Sequence, residues 1–122
     1  MLIIDGGRYD VDVVSLKRKA EFLDKYAERT EDGDLKRELI GVYFNYELKF
    51  GPGVDPTEYG RLWNKLTEPT EYHQVTVPDC EGDYIFTAYF SGIADEILLK
   101  KASRNFWQNL TVTFTAKAPA RI

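Results

Sequence analysis

Cysteine is almost missing from this chain. Its 122 residues include one, Cys80, so no intrachain disulfide can form. That pattern fits a chain made in a reducing compartment. Histidine is as scarce, with His73 alone. One Cys and one His cannot supply the roughly four ligands of a zinc centre. No Gly-x-Ser-x-Gly motif accompanies His73, so a Ser–His nucleophile pair is not signalled, and His73 is read as a structural or surface residue. Neither Gly-x-x-x-x-Gly-Lys nor Gly-x-Gly-x-x-Gly occurs, so no phosphate-cradling loop is signalled. Basic charge is not in excess either: 16 Lys and Arg stand against 20 Asp and Glu, a net charge of −4. Affinity for nucleic acid comes from neutralised phosphates, so no specific nucleic-acid binding is expected. Long apolar runs are also lacking. Met1–Ile4 is apolar but stops at Asp5-Gly6-Gly7, too short for a signal-peptide core or a membrane span. The expectation is a soluble chain, residues 1–122 forming a single domain, with no cofactor, no metal and no membrane partner, and no reaction is written plainly in it.

The remaining reactive-looking groups read plainly. Cys80 lies in the turn Pro78-Asp79-Cys80-Glu81-Gly82, where acidic neighbours do not favour a thiolate. Asp79, Glu81 and Asp83 alternate as in a calcium loop, but the sixth position is Tyr84 where Gly is needed and the twelfth is Phe90 where Glu is needed. Asn109-Leu110-Thr111 is a glycosylation sequon without a secretory context. Lys17-Arg18-Lys19 is a short basic run that, on a strand, points to alternating faces.

What the chain has is aromatic side chains, 17 of 122, and these favour pleated, half-buried surfaces and interfaces. Leu2-Ile3-Ile4, the Asp5-Gly6-Gly7 turn and the alternating Tyr9, Val11 and Val13 predict a β-hairpin. Residues 16–30 fit two patterns. Leu16, Ala20, Leu23 and Ala27 follow a helical stripe; Leu16, Ala20, Phe22 and Tyr26 follow a strand. Lys17, Arg18 and Lys19 would oppose the helix dipole in a first turn. Glu31-Asp32-Gly33-Asp34 is a hairpin turn leading into the clearest strand of the chain, with Ile40, Val42, Phe44, Tyr46, Leu48 and Phe50 on one face. Residues 15–30 are therefore read as a long strand. Asp55, Pro56 and Glu58 give a capping box, and Tyr59, Leu62, Trp63 and Leu66 the apolar stripe of a helix near 56–67. Strands over 73–77, 84–90 with Ile97-Leu98-Leu99, and 110–116 follow. The order ββ, ββ, α, βββ predicts an α+β, β-rich domain: an antiparallel β-sandwich with one flanking helix and a long protruding β-hairpin.

Ser15-Leu16-Lys17-Arg18, then Glu28-Arg29-Thr30-Glu31-Asp32-Gly33, then the strand ending at Phe50, together with Phe106 through Ala116 and Pro119, resemble small tail structural proteins of tailed phages and prophages, the tail-tube and distal-tail group. The resemblance implies a tail-tube-like β-sandwich and a non-enzymatic virion structural protein, a tube subunit or tail adaptor that self-associates into rings. Its partners would be copies of itself and other tail proteins. Its location would be the virion tail, and the bacterial cytoplasm during assembly. Tyr26, Glu28, Arg29, Glu31, Asp32, Gly33 and Asp34 then form a candidate assembly hairpin: an acidic tip, with Arg29 the one nearby cation in the sequence and Tyr26 an aromatic anchor at its base. Two other classes stay open. One is a monomeric β-domain that binds a protein partner by edge-strand addition. The other is a small-molecule-binding or hydrolytic domain.

Overall fold

Asp5 and Gly6 both take positive φ, 49° and 82°, the geometry of a two-residue hairpin turn whose twist matches the strands it joins. They fold Leu2–Ile4 (β1) onto Gly7–Tyr9 (β2). The expected continuation of that strand through Val11 and Val13 does not occur. The chain leaves the ladder after Tyr9, Val11 is buried in a connecting link, and Val13 opens the next strand. These features are seen in a computed structural model of the chain, which describes residues 2–121; the Met1 of the apolar start lies outside them.

Val13–Arg29 (β3) and Leu35–Phe50 (β4) form one long antiparallel hairpin. Residues 16–29 are thus extended, as the turn signal at Gly33 requires, and Thr30 belongs to the tip loop. Pro56–Leu66 (α1) follows, then His73–Asp79 (β5), Gly82–Lys101 (β6) and Arg104–Ala116 (β7). All seven strands belong to one antiparallel sheet in the order β2-β1-β5-β6-β7-β4-β3. The fold is α+β and β-rich, with one flanking helix.

Strand order and chain connection together dictate the shape. β2 and β3 are the two outermost strands, yet only residues 10–12 connect them. In a flat sheet, six strand spacings would set them about 29 Å apart. Four residue steps span at most about 14 Å. The sheet must therefore roll until its edges meet. Leu2, Tyr9, Val13, Leu16, Leu48 and Pro78 line a cavity of about 520 Å³ where they do. Arg18 on β3 reaches Asp79 and Cys80 at the β5–β6 turn. The two layers of the sandwich-like core are two halves of a single rolled sheet.

Inside the roll, Tyr46, Leu48 and Phe50 from β4 meet Val75 and Val77 from β5 and Leu110, Val112 and Phe114 from β7, all buried. Phe90 stacks on Phe114 at 4.7 Å between centroids, and Tyr46 lies 5.3 Å from Phe86. Helix α1 adds Tyr59, Leu62 and Leu66. Asp55 caps it, its carboxylate accepting from the Thr57 and Glu58 backbone N–H groups. The expected reciprocal half of the capping box is not made. Glu58 instead accepts from the backbone N–H of Asp10, at 3.0 Å, so the helix start holds the link between the sheet edges. Trp63 is only partly buried and sits beside the core rather than within it.

This packing separates two aromatic truncations. Phe114 is fully enclosed, and Phe114→Ala is expected to cost about 3–5 kcal/mol. Trp63→Ala, at a half-buried site, is expected to cost about 1–2 kcal/mol. Urea unfolding of the two variants beside the wild type checks the order; equal losses would contradict it.

Candidate functional site

β7 covers β4 only from Tyr46 to Lys49. At Val42 the C-terminal segment bridges β4 through Arg121; outward of that bridge β3 and β4 run on as a two-stranded arm to the pair Arg29–Leu35. Two register shifts around Asp24 fall in this arm and bend it. Its apolar side chains stay open: Phe22 is 60% exposed, and Leu23, Tyr26, Leu35, Leu39 and Ile40 are exposed as well. Arg37 pairs with Asp24 at 2.6 Å and lies over the Phe22 ring at 5.2 Å, so these three share one face.

The tip is a tight loop. Gly33 takes φ +91°, which favours a residue without Cβ. The Thr30 N–H donates to the Asp34 carbonyl at 2.7 Å and the Gly33 N–H to the Thr30 carbonyl at 2.9 Å. The Thr30 hydroxyl donates to Asp32, and that bond holds the Asp32 carboxyl below its usual range. The Arg29 guanidinium donates to the Gly33 carbonyl at 3.0 Å. The structure thus gathers Glu28, Arg29, Glu31, Asp32, Gly33 and Asp34 at one hairpin tip. Two details differ. Tyr26 stands far out on the arm, opposite Glu38, rather than at its base. And the register sets Lys36 opposite Glu28, a second cation that linear order concealed.

A second arm was not foreseen as a site. β5 covers β6 only as far as Ala88. Past it, β6 and β7 continue as a hairpin to the pair Lys101–Arg104, turned by Ala102 at φ +53° and Ser103. Register shifts at Ser91/Ala94, Ala94/Glu96 and Ile97/Leu99 bend it. Ile97, Leu98, Leu99 and Trp107 are exposed on it. The signal was present: Ile97-Leu98-Leu99 is a consecutive apolar run where a half-buried strand should alternate, and it runs straight into Lys100-Lys101.

The second arm leans toward α1. Between them lies a cleft of about 690 Å³, lined by Tyr59, Gly60, Trp63, Asp95, Arg104 and Trp107. The Gly53 N–H donates to the Trp107 carbonyl at 2.8 Å and ties the helix entry to β7. Tyr59 donates its hydroxyl to Asp95 at 2.9 Å. Burial, then Asp95, drives the Tyr59 phenol well above its usual range. The cleft's two carboxylates are both engaged: Asp55 caps the helix, and Asp95 holds Tyr59.

His73 belongs to a different cluster. It is buried, stacked on Phe90 at 4.6 Å, with Nδ1 2.7 Å from Asp5. Asp5, Glu68 and His73 bring three possible ligand atoms together. The Lys65 ammonium already lies 3.1 Å from Asp5 and 3.4 Å from Glu68, supplying the positive charge there. Asp5 also accepts from the Gln74 N–H at 2.8 Å. The cluster clamps the β1–β2 turn to β5 and to the end of α1. Partial burial raises the Asp5 carboxyl, but the bonds from His73, Gln74 and Lys65 outweigh it and bring the group down to about 2.

Comparison of the chain with protein-family models, with curated proteins and with solved structures gives no match.

Two outcomes follow. A folded-state carboxyl depressed to about 2 contributes stability that is complete above the unfolded value near pH 4 and is lost as pH falls toward 2. Wild-type stability, measured by urea unfolding, is expected to fall across that window, and Asp5→Asn to flatten the fall; an identical slope in the variant would contradict the clamp. In the cleft, a Cβ at Gly60 meets nothing within 4 Å, whereas one at Gly53 lands 2.6 Å from the Tyr59 ring. Gly60→Ala is expected to add about 0.5–1 kcal/mol of helix stability, and Gly53→Ala to lose about 1–3 kcal/mol through overpacking. Thermal unfolding should move in opposite directions for the two.

Proposed function

We propose that this chain is a non-enzymatic structural subunit that self-associates into rings, in the manner of the tube and adaptor subunits of phage and prophage tails. The observation that carries the reading is the pair of arms. Ten large apolar side chains are exposed on them: Phe22, Leu23, Tyr26, Leu35, Leu39 and Ile40 on one, and Ile97, Leu98, Leu99 and Trp107 on the other. Apolar residues scattered singly over a surface need no explanation, but bands concentrated on projecting elements mark association surfaces. A ring requires two different surfaces on each copy, one for each neighbour, and two arms supply two. The engaged carboxylates of the α1 cleft weigh against the small-molecule or hydrolytic reading.

One observation favours a second reading. β3 is the last strand of the sheet, and among the described residues its outer edge is unpaired along the arm, the requirement for capture of a partner strand by a monomer.

Sedimentation velocity separates the two. The wild type is expected to form multi-subunit species of defined size, seen as rings by electron microscopy. A variant with residues 27–34 replaced by a short Gly-containing turn is expected to stay monomeric. A wild type that is monomeric at the highest concentration reached, or a trimmed variant that assembles equally well, would overturn the ring reading.

A further inference from the structure

The two arms differ in charge as well as in place. At the β3–β4 tip, Glu28, Glu31, Asp32 and Asp34 outnumber Arg29 and Lys36. At the β6–β7 tip, Lys100, Lys101 and Arg104 stand without an acidic residue between Ile97 and Trp107. Among the described residues, none of the four acids and none of these three bases takes part in an ion pair within the chain. Lys101 is paired directly across from Arg104. Like charges opposite one another weaken a hairpin, so the basic tip carries a repulsion that no ion pair among the described residues relieves. An anionic surface laid against it would relieve it.

The apolar bands sit at matching depth. Tyr26 and Leu35 on the acidic arm, and Ile97, Leu98, Leu99 and Trp107 on the basic arm, lie within six residues of their tips, about 20 Å along a strand. Arms laid side by side with tips together bring band onto band.

We propose that the arms are each other's partner across copies: the acid-tipped β3–β4 arm of one copy lies along the base-tipped β6–β7 arm of the next. This rests on the ring reading and names its interface. Such an interface is heterologous, since one arm meets the other and never itself, and it closes into a ring when the rotation between copies allows. The charged tips set direction and register and reject acid-on-acid or base-on-base contact; the apolar bands supply the buried area. One tip carries excess acid and the other only base, so the two arms are complementary and the occupant is a second copy of this chain.

The test uses two full-length variants. Lys101→Glu with Arg104→Glu makes both tips acidic. Glu31→Lys with Asp34→Lys makes both basic. The side chains of Glu31, Asp34, Lys101 and Arg104 make no hydrogen bond within the chain among the described residues, so both variants are expected to fold, as circular dichroism would check. Each alone should self-associate at least tenfold more weakly than the wild type by sedimentation equilibrium. Their equimolar mixture should recover assembly, because every acidic arm then finds a basic one. If either variant fails to fold, Lys101→Gln with Arg104→Gln and Glu31→Gln with Asp34→Asn replace the pair, each again expected to weaken assembly. Variants that assemble like the wild type, or a mixture that stays dissociated, overturn the pairing while a wild type that forms rings keeps the ring reading. A wild type that never assembles removes both.

Discussion

Tyr9 ends one edge of the seven-stranded sheet and Val13 begins the other, and the few residues between them cannot cross a flat sheet. The roll this imposes creates the interior in which Leu48, Val75, Val112 and Phe114 are enclosed. It brings Arg18 to the β5–β6 turn, and it explains why Glu58 serves the link through Asp10 rather than the cap of its own helix. The Asp5–His73–Lys65 clamp fastens the opposite end of α1. Helix and clamp together hold the short strands β1 and β2, which alone would be marginal.

The same constraint decides what is left outside. The roll uses only part of each long strand: β7 covers β4 to Tyr46, with one further bridge from Val42 to Arg121, and β5 covers β6 to Ala88. Toward the tips, each arm strand has a partner strand on one side only. Side chains of the size of Phe22, Tyr26, Leu99 and Trp107 are then exposed by geometry, not by composition. A two-stranded ribbon with apolar groups open to water gains little on its own, which is the physical ground for expecting the arms to be covered when copies meet.

Much of the architecture was legible in the sequence because each element carried its own local code. Gly33 in its acidic turn fixed the β3–β4 hairpin, alternation from Tyr46 to Phe50 marked the covered stretch, and Asp55-Pro56 opened the helix. What local codes cannot carry is register and closure. Lys36 opposite Glu28 and Tyr26 far from the hairpin base depend on strand register, and Glu58 bound to Asp10 on a residue distant in the chain. The acidic tip was readable because its charges are consecutive in sequence. The basic tip was divided by the turn at Ala102-Ser103, and the run Ile97-Leu98-Leu99 passed for ordinary strand. Only pairing of β6 with β7 brings Lys101 and Arg104 together beside Trp107.

We propose that other copies of the chain cover the outer halves of both arms. Amide hydrogen exchange followed at low and high protein concentration tests it most directly. Exchange in segments 22–40 and 97–107 is expected to slow together as concentration rises, while amides of the rolled body, already protected, change little. Arms that exchange at the same rate at every concentration, or concentration-dependent protection confined to the sheet body, would contradict it.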